Sequence, residues 1–373
     1  MSQNRNDRGG REAAHRSAPG ASRRSAAQRA AFEKRRQAKK RAYRRRVATV
    51  LFMAVFCVVG VGAAIYAMFN SAFTGGGGSL PNEINTPPEL QGDVVNFLIC
   101  GIDFEDGRDY GKNLGMTDVI LYVTLDVKAS KINILQIPRD TYVGAEVSTG
   151  GTGKINAVAY HGSEDPKIVN LARVINDQFK LPVDYYATID MDAFKEIINL
   201  LGGIDVYVPE RLQLDGNVLE PGLQHMDGAT AEFFVRYRNF PQADIKRLEM
   251  QRYFYAAVFN KLISFPVKDV IKVLPAYMQY VQTDMSLAKM GSVLTKIMNI
   301  QKEDITIYKV PGEALTHNGH SVYTVHLDML AQRINEGFRP YQQAITGADL
   351  AAVELAHTND YITGEGTPLS GVQ

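Results

Sequence analysis

The sequence predicts a single α/β domain, an α-β-α sandwich around a mixed central sheet, preceded by one transmembrane helix. Three observations predict it. From Val94 onward, short β-rich runs alternate with segments of helical spacing. Val47 to Phe69 is 23 residues long and carries no charge and no proline, enough to cross a bilayer with some tilt. A Gly- and Pro-rich stretch separates the two.

The N-terminal end sets the topology. Residues 1–46 hold 16 Lys+Arg against three acids, a net +13 in a chain of net +1, so residues 47–373 carry −12. The basic flank lies wholly on the N-terminal side of the apolar run, which places that side in the cytoplasm and the rest outside the cell membrane. A cleaved signal peptide would have a shorter basic region and an apolar core of only about 7–15 residues. The tail is rich in Ala, Ser and Gln and holds few aromatics (Phe32, Tyr43). It reads as a disordered cytoplasmic arm held near anionic membrane lipid, with no specific nucleic-acid signal.

Residues 70–92 read as a linker, flexible at Gly75 to Ser79 and stiff at Pro81, Pro87 and Pro88. Residues 93–357 read as the extracytoplasmic domain, long enough for one large core. Residues 358–373 read as a loose C-terminal tail. Cys57 falls in the membrane span and Cys100 in an apolar strand, so the external domain has no disulfide and no metal–thiolate motif.

Within the domain, Val94–Cys100 is an apolar strand ending at Gly101. Residues 119–127 and 131–137 are β-rich and flank a polar Lys-Ala-Ser turn, the pattern of a hairpin. Pro166–Phe179 has helical spacing. Tyr185–Ile189 is a strand. Asp190–Leu201 is a helix with Phe194, Ile197, Ile198 and Leu201 on one face, stopped by Gly202-Gly203. Ile204–Val208 and Ile305–Val310 are strands. Helices are expected at 227–235, 244–263, 285–300 and 325–341.

Chemistry-bearing residues gather where the strands end. Asp103 follows the first strand, Asp118 opens the second, and Arg139 closes the third. Ligands of such sheets collect beyond strand ends. Two carboxylates at one rim make an oxygen site suited to Mg2+, which shares phosphate oxygens as further ligands. Downstream, Arg236 and Arg238 lie two apart and share a face in an extended piece, whereas Arg247 and Gln251 lie four apart and share a helix face. Guanidinium groups match phosphate oxygens well. The arginine stretch by itself equally describes a solvated helix face, and each aspartate alone a turn or cap. Together they are the equipment for phosphoryl transfer.

Several segments carry a family resemblance: Asn96–Asp103, Thr117-Asp118, Ile137–Tyr142, Gly153–Ala157, Leu201–Val206, Leu223–Gly228, Val235–Arg238 and Asp244–Arg252. With these in order over about 96–345, the chain resembles the LytR–CpsA–Psr (LCP) proteins. The resemblance implies a membrane-anchored phosphotransferase. Its donor would be a polyprenyl-pyrophosphate-linked glycan (teichoic acid, capsule or a related polymer) and its acceptor a sugar hydroxyl of peptidoglycan. By position, Asp103 and Asp118 would hold Mg2+. Arg139, Arg236, Arg238 and Arg247 would bind the pyrophosphate, with Gln251 beside them and Lys154 as a further phosphate contact. Asp103, Asp118, Arg139, Arg236 and Arg238 form the implied catalytic set. An apolar lipid channel is implied between sheet and helices, lined from 190–201 and 229–235.

The family pattern has an arginine two or three positions before the second aspartate, where this chain has Gly115 and Met116. Arg108 and Lys112 lie in the same loop. That departure keeps a second reading open, a non-catalytic lipid- or glycan-binding regulator of the envelope. His161 and His225 lack a metal-spaced partner, which excludes a zinc site of the usual type.

Overall fold

The structure is a computed structural model that describes residues 79–103, 115–240, 243–263, 281–285, 296–297, 300–356, 358 and 361–372. The basic tail, the apolar run at 47–69, Arg108 and Lys112 lie outside these residues, as does most of the helix expected at 285–300. Among the described residues, no helix is long and apolar enough to cross a membrane.

The domain begins with β1 (Val94–Asp103), β2 (Met116–Asp126), β3 (Lys131–Ile137), α1 (Ile168–Phe179), β4 (Tyr185–Asp190) and α2 (Met191–Leu200). Next come β5 (Ile204–Val208), β6 (Leu212–Leu214), β7 (Asn217–Leu219), β8 (Gly222–Met226), α3 (Gly228–Arg236) and α4 (Ala243–Ile263). It closes with β9 (Val281–Thr283), β10 (Ile305–Lys309), β11 (Gly312–His317), β12 (His320–Val325), α5 (Leu327–Gly337) and β13 (Thr367–Pro368).

Seven strands form the central sheet in the order β13-β10-β3-β2-β1-β4-β9. The pairs β1/β4 and β3/β10 are parallel and the others antiparallel, so the sheet is mixed. Alternation along each strand sends side chains to opposite faces. Phe97, Ile99, Leu121 and Val123 join Ile197 of α2, Phe234 of α3 and Phe254 of α4 in one core. Leu98, Cys100, Ile120 and Tyr122 join Leu171 and Ile175 of α1 and Ile334 of α5 in the other. The result is the expected α-β-α sandwich.

Local chemistry explains the helix ends that matter for the site. The Asp190 side chain caps α2 by accepting from the Ala193 N–H at 2.7 Å, and Asp227 caps α3 through the Thr230 N–H at 2.9 Å. Gly202 and Gly203 follow α2 with φ of 67° and 85°, the left-handed region that a side chain would strain, so they act as a helix stop.

Two expected boundaries move. The linker does not extend to residue 92: Leu80 and Ile84 are buried in the core and Thr86 is 1% exposed. Apolar residues between the prolines give this segment something to bury, so it docks as a stem. The C-terminal tail is not wholly loose either. Thr367 and Pro368 pair antiparallel with Ile307 and Thr306, and Leu369 is 3% exposed. A single leucine and a free sheet edge suffice to recruit a short polar segment. The β5/β8 pair and the β6/β7 and β11/β12 hairpins were also absent from the sequence expectation. Their strands are short, and in β8 alternation leaves Leu223 72% exposed, which masks the pattern.

Candidate active site

β1 and β2 are antiparallel neighbours, so the end of one and the start of the other meet at one rim of the sheet. The register slips there. Gly101 faces Val119 and Ile102 faces Thr117, leaving Asp118 as the extra residue of a β-bulge. Bulges re-aim side chains, and this one presents Asp118 at the rim beside Asp103. A Cβ at Gly101 would lie 3.0 Å from the Val119 Cβ, so the close approach of the two strands at the bulge favours glycine.

Arg139 follows β3 at the same rim. Its Nη1 donates to Asp118 Oδ1 at 3.1 Å and Oδ2 at 2.9 Å. Arg238, just beyond α3, donates from Nη2 to Asp118 Oδ2 at 3.0 Å. Arg236, the last residue of α3, donates from Nη2 to Asp103 Oδ2 at 3.1 Å. Two chain segments far apart in sequence therefore converge on the two aspartates. Arg247 is 3% exposed on α4, near enough to act on the Asp118 charge. Burial pushes the Asp118 carboxyl up, but Arg139, Arg238 and Arg247 outweigh it and hold the group below its ordinary value. Asp118 is thus an anion at neutral pH.

Two sequence-predicted residues stand differently from the rest. Lys154 reaches the rim, but its Nζ sits 2.8 Å from Asp140 Oδ1. Asp140 Oδ2 is in turn 3.8 Å from Arg139 Nε. Gln251 is 2% exposed and donates to the Val235 carbonyl at 3.0 Å, while the Tyr255 hydroxyl donates to Gln251 Oε1 at 3.3 Å. In this structure Gln251 buttresses the end of α3 that carries Arg236. Met116 pairs with Asp103 across the strands and offers no charge.

Sequence reasoning missed three partners. Glu232 accepts from Arg236 Nη1 at 3.0 Å, Asp140 lies between Arg139 and Lys154, and Tyr255 anchors Gln251. The first had a signal, since Glu232 precedes Arg236 by four positions on one helix. Tyr255 likewise follows Gln251 by four positions on α4, whereas the reach of Lys154 to Asp140 depends on packing.

An open cavity lies between the sheet and α2, α3 and α4, lined by apolar side chains such as Leu121, Ile189, Phe194 and Phe254. Gly101, Val119 and Val235 also line it, and these lie within two positions of Asp103, Asp118 and Arg236 in sequence. Its floor is where the implied channel was placed, with α4 as an added wall. An apolar cavity thus abuts a rim of paired arginines and aspartates. Among the described residues, no three His, Cys, Asp or Glu side chains group to hold a metal. Asp103 and Asp118 fit Mg2+ as a two-carboxylate site, because Mg2+ takes one or two carboxylates and completes its shell with water and phosphate oxygens.

Comparison with known proteins converges on one family. The family described as LytR_cpsA_psr matches residues 58–338. The chain is 28% identical over 257 residues to the polyisoprenyl-teichoic acid–peptidoglycan teichoic acid transferase TagU of Oceanobacillus iheyensis, covering 67% of this chain and 77% of that one. It is 28% identical over 302 residues to TagV of Bacillus subtilis, a transferase of the same designation, covering 76% and 74%. The crystal structure of protein gbs0355 from Streptococcus agalactiae superposes with a TM-score of 0.58 at 22% identity, over 74% of this chain and 96% of that one, a likeness of fold.

Proposed function

The chain belongs to the LytR_cpsA_psr family, and from that premise we propose that it is a membrane-anchored phosphotransferase. It would move a glycopolymer, a teichoic acid, capsule or similar chain, from a polyprenyl-pyrophosphate carrier onto a sugar hydroxyl of peptidoglycan. The observation that carries the proposal is the apolar cavity abutting a rim where Arg139, Arg236 and Arg238 meet Asp103 and Asp118. A lipid-linked pyrophosphate has these two parts, an apolar chain and a compact polyanion, joined end to end.

In the reaction, the acceptor hydroxyl oxygen attacks the glycan-bearing phosphorus. The bond from that phosphorus to the bridging oxygen breaks, polyprenyl phosphate leaves, and the hydroxyl proton passes to a base or to water. Arg139, Arg236, Arg238 and Arg247 would orient the pyrophosphate and offset the charge developing on the leaving phosphate. Lys154 would reach a phosphate by exchanging Asp140. Gln251 and Tyr255 would hold the backbone that aims Arg236. Asp103 and Asp118 would hold Mg2+, which when bound supplies charge neutralisation at the bridging phosphates. The cavity would take the polyprenyl chain and exclude water from the transfer.

The topology belongs to the same proposal. The apolar run at 47–69 would anchor the chain, with the basic tail in the cytoplasm and the folded domain outside. A cytoplasmic reporter fused after Ile345 should then be inactive. The second reading, a lipid- or glycan-binding regulator without turnover, draws on Gly115-Met116 in place of the family arginine. Full-length chain in detergent, given a polyprenyl-pyrophosphate-linked glycan, peptidoglycan fragments and Mg2+, should form the linked product. Arg139→Ala and Asp118→Ala should each cut the rate at least about 100-fold. Unchanged turnover in either variant would sink the mechanism, and lipid binding without product would favour the regulator.

A further inference from the structure

We infer that this site takes up metal and pyrophosphate by exchange, each ligand releasing the side chains that the other needs. The inference rests on the phosphotransferase reading above. The carboxylates that would hold the cation are the present partners of the guanidinium groups that would hold the phosphates. Arg139 and Arg238 both donate to Asp118, at 2.9 and 3.0 Å, and Arg236 donates to Asp103 at 3.1 Å. The rim extends the same pattern outward. Arg236 Nη1 is on Glu232, Lys195 stands 3.5 Å from Glu232 and 2.8 Å from Asp192, and Lys154 is on Asp140.

Neither ligand therefore meets a site charged in its favour. A pyrophosphate arriving alone must pull arginines off Asp103 and Asp118 and then sit beside those bared carboxylates. A divalent cation arriving alone must part Arg139 and Arg238 from Asp118 and Arg236 from Asp103. When both arrive, the carboxylates turn to the cation and the arginines to the phosphates, and every charge keeps a partner. The exposures suit such a swap. The side chains of Asp103 and Asp118 are 18% and 13% exposed, while Arg236 and Arg238 are 48% and 35% exposed, so the arginines can swing outward from carboxylates fixed on strands. Thermodynamic linkage makes the coupling reciprocal: the factor by which metal tightens the anion is the factor by which the anion tightens metal.

The exchange predicts gains of binding on losing a charge. With EDTA present, inorganic pyrophosphate is titrated into full-length chain in detergent and followed by calorimetry. Asp118→Asn removes the carboxylate that Arg139 and Arg238 share and should bind at least about tenfold tighter than wild type. Asp103→Asn removes one of the two carboxylates that hold Arg236 and should bind tighter by a smaller factor. Asp205→Asn, whose carboxylate pairs with His225 at 2.6 Å away from the rim, should leave binding unchanged. The reciprocal arm uses Mn2+ without anion, counted by electron paramagnetic resonance, where Arg238→Ala should tighten metal binding. Equal or weaker metal-free pyrophosphate binding in a folded Asp118→Asn protein would overturn the exchange. Should that variant fail to fold, the same result in Asp103→Asn decides it. An exchange seen without any glycan transfer would leave the exchange standing and remove the transferase reading; transfer without the gains would do the reverse.

Discussion

Two pairs of aspartates sit at opposite rims of the same sheet, and their surroundings make them opposites. At the rim beyond β1 and before β2, Asp103 and Asp118 face arginines, and Asp118 is held below its ordinary pKa. At the other end, Asp184 and Asp284 fasten the stem with neutral donors. Asp184 accepts from the Thr86 N–H at 2.8 Å, the Thr86 hydroxyl at 2.7 Å and the Asn96 N–H at 2.7 Å. Asp284 accepts from the Leu80 and Tyr186 N–H groups at 3.2 and 3.0 Å. Burial pushes the Asp284 carboxyl up to about 6, with the nearby Asp184 charge acting the same way. Similar side chains on one sheet thus do different work. At Asp118 the cations outweigh burial and keep the carboxylate an anion, whereas at Asp284 burial outweighs the backbone donors and the fastener resists ionising.

The largest way to break this contrast is to take a cation from the rim. Arg139→Gln should destabilise the domain by about 2–3 kcal/mol at neutral pH, because it leaves the shielded Asp118 with fewer partners. The sign with pH follows from the lowered pKa. Asp118 contributes stability above its unfolded value, and that contribution is lost as pH falls through the folded value. Arg139→Gln should therefore show a shallower fall of stability with acid than wild type, read from urea midpoints, because the Asp118 carboxyl moves back toward its unfolded value.

A comparable effect sharpens the other end. Asp284 is raised from 3.8 to about 6, so its favourable contribution is full below its unfolded value and is lost as pH rises through about 6. Stability relative to Asp284→Asn should fall by about 3 kcal/mol across that window in wild type. Parallel curves for the two proteins would show that Asp284 is not the fastener described. The smallest effect is Thr86→Val, which keeps shape and removes one hydroxyl donor to Asp184. It should cost about 1 kcal/mol at neutral pH, read from urea midpoints.

Much of the fold was legible in the chain. β1, the β2–β3 hairpin, α2 and α3 follow from apolar alternation, helical spacing and cap residues that act within a few positions of one another. The stem and the β13 edge were not, because Leu80, Ile84 and Leu369 acquire their meaning only from the surfaces they cover. For the site, residue type and placement at strand ends marked Asp103, Asp118 and Arg139. Gln251 shows the limit. Helical spacing puts it on the face of Arg247 and within a turn of Tyr255, but only packing supplies the Val235 carbonyl that it holds.

The sequence by itself determined the alternation of strands and helices, the basic N-terminal flank of an apolar run, and the inventory of aspartates and arginines, since periodicity and charge are properties of neighbours along the chain. Only the tertiary structure decided which arginine meets which aspartate. Arg139 and Arg238 are 99 positions apart in numbering yet share Asp118. Their meeting depends on antiparallel β1 and β2, a one-residue bulge and the docking of α3 over one face. Those are long-range packing choices that no local pattern encodes.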